Sequence, residues 1–228
     1  MRWFFFFAIA MFPCIAISQI AAGPMLGYCE MKEALVWIQT EGSQNISIQY
    51  SVRGNNWITS EEITTGSPSA YTHKFILSPL EPGFSYTYRF LIDGKPLTDE
   101  YTLTTQKLWQ HREDPPEFTF FTGSCAFINE PQYDRPGKGY GKSKDIFLKM
   151  AEMNPDMMLW LGDNVYLREP DWTSWSGFMH RYSHTRQQPE LQPLLAACPH
   201  FAIWDDHDFG PNDSNRSWIH KDWSQDAF

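Results

Sequence analysis

The chain has 228 residues, of which 42% are hydrophobic, 16% aromatic and 20% charged, proportions that exclude disorder and collagen-like repeats and allow a sizeable core. Asp and Glu outnumber Lys and Arg 27 to 18, and a formal charge of −9 with no long basic run excludes non-specific nucleic-acid binding. At about 100 to 150 residues per domain, the length accommodates two domains.

In chain order, Arg2 precedes an apolar run from Trp3 to Ile17, and small residues follow at Ser18, Ala21 and Ala22. This pattern predicts a signal peptide over residues 1–22, since the run is shorter than the roughly 20 residues a membrane-spanning helix needs. The mature protein is expected to be exported, periplasmic or extracellular, with no membrane anchor once the leader is removed. Cys29, Cys125 and Cys198 then remain, and an odd count leaves at least one without an internal partner.

Residues 25–108 read as an all-β immunoglobulin or fibronectin III-like sandwich of about seven strands. Apolar side chains alternate in ISIQYSV (residues 46–52) and FSYTYRFLI (residues 84–92), the period of half-buried strands. Turn residues separate the runs at Arg53-Gly54-Asn55, Gly66-Ser67-Pro68, Glu81-Pro82-Gly83 and Asp93-Gly94, the last a hairpin signal. Within Leu80–Phe90, Tyr86 is the candidate for a tyrosine corner, in which the hydroxyl caps a nearby loop. Such a domain either binds a partner or braces its neighbour.

A proline-stiffened polar linker follows at residues 109–117. Residues 118–228 then change pattern: FTFFTG (118–123), MMLWLG (157–162) and HFAIW (200–204) are short, nearly continuous apolar runs, as expected of strands covered on both faces. A helix is predicted at 143–154, capped by Ser143, with weaker helices at 171–182 and 187–197. Strand and helix in alternation imply a largely parallel α/β sheet. Trp160 and Trp204 are taken as core residues.

The residues just past each apolar run carry the chemistry. GSC ends with Cys125, GDNVY holds Asp163 and Tyr166, and WDDHDFGPND holds Asp205, Asp206, His207, Asp208, Asn212 and Asp213. In open α/β sheets, loops at the carboxyl ends of the strands converge on one crevice. Converging carboxylates cannot all stay ionised cheaply without counter-charge, and no Lys or Arg interrupts residues 204–213. Hard cations bound by carboxylate and phenolate oxygens satisfy that requirement.

GDNVY resembles the GDxxY motif of purple acid phosphatases, and WDDHDFGPND stands where metallophosphoesterases carry GNH and an acid. With GSC in place of the usual first motif, the set is similar to the alkaline phosphatase D (PhoD-like) branch of the calcineurin-like metallophosphoesterases, in which an amino-terminal β-sandwich is usual. The resemblance implies that Asp163 bridges metal ions, that Tyr166 gives a phenolate and Cys125 a thiolate to a ferric ion, and that Fe3+ and Ca2+ or other divalent ions are the cofactors. It also implies that His207 is the general acid and that Asp208 orients it. An aspartate replaces the asparagine of GNH, which leaves Asp205, Asp206 and Asn212 open as ligands of the second metal, with Asp206 first and Asn212 second. The implied reaction is hydrolysis of phosphate monoesters or diesters by a metal-activated hydroxide.

PGKGYGKS (136–143) ends like a phosphate-cradling loop, but Pro136 stands where that motif needs glycine and no strand directly precedes it. Arg135, Lys138 and Lys142 are there as possible phosphate contacts. The family normally completes its site with later ligands, including a GHxH-like segment, and none is found before Phe228. The sequence therefore reads as the amino-terminal part of a longer enzyme, with weak or no turnover by itself. The alternative is a non-catalytic secreted sandwich that carries a degenerate phosphatase remnant.

Overall fold

The computed structural model describes residues 19–228, apart from Arg53 and Lys142. Most of the expected leader, and Lys142 as a phosphate contact, lie outside the described residues. Among those described, no helix is long and apolar enough to cross a membrane.

The first region contains β1 (Ile20–Cys29), β2 (Ala34–Thr40), β3 (Asn45–Val52), β4 (Asn55–Thr59), β5 (Ile63–Thr64), β6 (Thr72–Leu77), β7 (Ser85–Ile92), β8 (Lys95–Pro96) and β9 (Tyr101–Thr104). One antiparallel sheet runs β1-β2-β6, and the other runs β4-β3-β7-β8, with β5 on β3 and β9 on β7. Period-two alternation turns Val36, Ile38, Ile46, Ile48, Tyr88 and Phe90 into a shared core from which solvent is excluded. Asp93 and Gly94 both take positive φ, at 48° and 70°, and close the β7–β8 hairpin. Tyr86 accepts a hydrogen bond from Glu81 N at 2.8 Å, as a tyrosine corner does.

Ile20 and Ala22, expected to end the signal segment, pair in β1 with Thr40 and Gln39, and Ala22 is buried. Small apolar residues suit a cleavage site and a packed strand equally, so composition could not separate the two.

Gln106 to Thr119 follow without helix or strand and are almost wholly exposed. The second region contains β10 (Phe120–Gly123), α1 (Asp145–Glu152), β11 (Met157–Leu161), α2 (Trp175–Arg186), α3 (Gln192–Ala197), β12 (His200–Ile203), α4 (Asp206–Phe209) and α5 (Lys221–Ala227). The three strands form a parallel sheet in the order β10-β11-β12. Met158 and Trp160 point to one face and pack with Leu191, Leu194 and Leu195 from α3 and the turn before it, and with Phe147 and Met150 of α1.

Three expectations fail here. The apolar runs predicted a sheet covered on both faces, yet Phe120, Leu161, Phe201 and Ile203 on the opposite face are exposed. Trp204 is also half exposed, packed on Phe228 rather than in a core. The helix expected at 171–182 begins only at Trp175, with Ser174 as its N-cap. The Asp171 carboxylate takes hydrogen bonds from Arg168 N and Arg181 Nε, both at 2.8 Å, and this holds residues 171–174 in a turn.

The sandwich is joined to the second region along β1. Met25 packs into the α3 cluster, Gly23 N donates to Gln192 Oε1 at 2.8 Å, and Leu26 pairs with Pro199. Gln39 Nε2 donates to Ser183 Oγ at 2.8 Å and Gln187 Nε2 to Gln39 Oε1 at 3.2 Å, so α2 is held as well.

Candidate metal centre

Three loops leave the carboxyl ends of β10, β11 and β12 and interlock. Cys125 N donates to Gly162 O and Ala126 N to Asp163 O, which extends the β10–β11 ladder past its strands. Cys125 and Asp163 both sit at positive φ, 58° and 51°, a conformation costly for residues with a Cβ and one that concentrates at functional sites. Gly162, at φ 96°, lies against the third loop so closely that a Cβ would come within 2.7 Å of Asp205 Cβ. Glycine is required there by both φ and space.

Asp163, Asp206 and His207 each present a ligand atom, and these atoms lie within 4.8 Å of one another. Asp163 is 8% exposed, and its Oδ1 is buried with no hydrogen-bond partner. A buried carboxylate oxygen without a donor is costly. Its other oxygen, Oδ2, accepts from the Cys125 thiol at 3.6 Å. Tyr166 lies beside Cys125 and Asp163, and burial first, then the influence of those two groups, pushes its phenol well above its usual range. A strong Lewis acid among the same atoms reverses that balance and favours the phenolate. The donor set of two carboxylates, imidazole, phenol and thiol, with one orphaned buried oxygen, fits a hard or borderline cation.

The remaining candidates have other partners. Asp205 caps α4, accepting from Asp206 N at 2.9 Å. Asn212 donates to Asp213 Oδ2 at 2.7 Å, and Asp206 Oδ2 takes Asp213 N. Asp208 does not orient His207 as expected. Its carboxylate is buried and accepts from Val165 N at 2.9 Å, Asp205 N at 3.0 Å and Asn164 Nδ2 at 3.2 Å. Burial raises its pKa against the pull of those donors. Asp208 therefore clamps the GDNVY loop to α4 and acts on the site through the backbone. Pro136–Gly141 lie in an irregular loop well after β10, with no strand leading into them.

Sequence reasoning missed the frame around these loops. Arg168, almost fully buried, donates from Nε to Asp134 Oδ1 at 2.8 Å, from Nη2 to Ile128 O at 2.9 Å and from Nη1 to Tyr166 O. Its guanidinium lies 4.3 Å from the Phe127 ring centre. Arg181, wholly buried, pairs with Asp171 at 2.8 Å and Glu130 at 2.8 Å. The one sequence signal was Arg168 standing two residues after the candidate ligand Tyr166.

This is the architecture of a β-sandwich joined to a parallel α/β sheet with an acidic site at its strand ends. A solved structure of PhoD is similar in fold, with a TM-score of 0.69 and 17% identity over 90% of this chain and 42% of that one. The chain thus spans about two fifths of the PhoD structure's length. Residues 17–108 match a family model described as a domain of unknown function, DUF7800. A solution structure of a human FNIII domain, the fourth of its protein, is similar at a TM-score of 0.30 and 14% identity, covering 44% of this chain and 90% of that domain. No curated protein matches the sequence.

Proposed function

We propose that the chain carries part of the site of an exported, metal-dependent phosphatase acting on phosphate monoesters or diesters. The observation that carries this reading is the orphaned Oδ1 of Asp163, buried where Asp206 and His207 also present ligand atoms. The PhoD-like fold and the GDNVY and DDHD motifs support it. Cys125, Asp163 and Tyr166 would hold iron, and Asp206 with Asn212 a calcium or other divalent ion, with Asp163 between the two. Bound ions would supply charge neutralisation for the phosphate and a water acidic enough to act as nucleophile.

The chain's own residues do the rest. His207, whose ring lies 4.5 Å from that of Tyr166 at the edge of an open cleft, gives a proton to the departing oxygen. Asp208 and Arg168 keep the GDNVY loop at the depth where Asp163 and Tyr166 face Cys125. Both Cys125 and Asp163 hold the strained positive-φ backbone that concentrates at functional sites, and the Cys125 thiol reaches the Asp163 carboxylate.

The test is hydrolysis of p-nitrophenyl phosphate and of its bis-ester by the full-length protein, with and without a chelator. Activity that falls at least about tenfold with chelator and returns with added ion is expected. Activity indifferent to chelator, or metal-free protein with none, sinks the reading.

A further inference from the structure

A cleft of about 580 Å3 opens beside the acidic cluster, and Tyr166 and His207 form its inner end. That volume is far more than a phosphate group needs and lies in the range of small-molecule sites. Its walls are aromatic. Tyr140 packs edge-on to Phe127 at 5.6 Å and Phe127 edge-on to Tyr166 at 5.0 Å, Tyr166 lies tilted over His207 at 4.5 Å, and Trp172 and Tyr133 line the cleft as well. Tyr140, at the outer end of this series, is 60% exposed.

The charges of the cleft offset one another. Arg168 is committed to Asp134 and Phe127, which leaves Arg135 and Glu169, both exposed and opposite in sign. A second phosphate or another strong anion would find no surplus cation here. Flat apolar rings would find five aromatic side chains in the walls, and stacked or edge-on ring pairs are favourable beyond their area.

Resting on the phosphatase reading above, we propose that the leaving group is an aromatic alcohol, seated between Tyr140, Phe127 and Trp172 with its oxygen toward His207. Water adds its oxygen to phosphorus, and the bond from phosphorus to the alcohol oxygen breaks with its electron pair on that oxygen. His207 protonates the oxygen and regains a proton from the one the water sheds. The cleft binds the departing side of the ester because His207, the proton donor, is part of its wall.

The test compares benzyl with ethyl phosphate, whose leaving alcohols are of similar acidity, so that a difference reports binding rather than intrinsic reactivity. The full-length, metal-loaded protein is expected to favour benzyl phosphate about tenfold in kcat/KM, and to bind benzylphosphonate about tenfold more tightly than ethylphosphonate by titration calorimetry. Tyr140→Ala, at an exposed position where folding is not at risk, should reduce both ratios to within about threefold. Inorganic phosphate is the control. If it and both phosphonates bind with equal affinity, or if Tyr140→Ala keeps the full preference, the aromatic cleft is wrong and the phosphatase reading survives. If none of the three binds the metal-loaded protein, the phosphatase reading falls and takes this inference with it.

Discussion

The two regions are built on opposite plans. The sandwich is closed, with two sheets facing each other across aliphatic and aromatic side chains, and its buried polar groups, such as Gln39, Ser47 and Ser51, are uncharged. The second region has one sheet covered by helices on a single face, while buried ion pairs, capped loops and strained residues sit at its strand ends. The first plan produces rigidity with little chemistry. The second spends stability to keep acids, a thiol and a phenol together, as functional sites generally do.

The comparison is broken most sharply at Arg181. Arg181→Ala removes the guanidinium from the buried Asp171 carboxylate and from half-buried Glu130, at an expected cost of about 3–5 kcal/mol. Hydrogen exchange should then accelerate across residues 120–228 while β3 and β7 stay protected. Loss of protection in both regions together would show that they unfold as one unit. The matching change in the sandwich is Ile48→Ala, at a fully buried position, which should cost about 3 kcal/mol and leave exchange near Asp171 and Arg181 unchanged.

A smaller effect separates the regions by pH. His200 accepts from Trp160 Nε1 at 3.0 Å and shares its other ring nitrogen with Leu194 O, so it is held neutral. Burial lowers its pKa to about 4 from 6.5. The unfolded chain binds the proton first as pH falls, so this stability is present above 6.5 and is lost toward pH 4. The loss between pH 7 and pH 5 should be about 2 kcal/mol. Urea unfolding at the two pH values checks it, and a slope unchanged in His200→Gln would contradict the assignment. The smallest effect is Tyr86→Phe, which removes the bond to Glu81 N and should cost about 1 kcal/mol without touching the second region.

Different kinds of signal explain what the sequence disclosed. Alternation identified the sandwich strands because half-burial leaves a period of two, and the Asp93-Gly94 turn and the Tyr86 corner follow from local backbone rules. The acidic loops were readable because each stands directly after an apolar run. The uncovered sheet face was not, since Phe120, Phe201 and Ile203 show what suits burial and say nothing about what covers it. The frame of Arg168 and Arg181 joins residues distant in sequence, such as Asp134 and Glu130, and no local pattern marks such pairs. Asp208 looked like a partner for its neighbour His207, but helix geometry turned its carboxylate back onto the GDNVY loop.

The central claim is that Asp163 and its neighbours hold a metal ion. Metal content of the full-length protein and of Asp163→Asn, measured by plasma mass spectrometry after dialysis into ion-free buffer, tests it most directly. At least about one equivalent of ion per chain is expected in the parent protein and less than about a tenth of that in the variant. Equal content in the two proteins, or none in the parent, contradicts the claim.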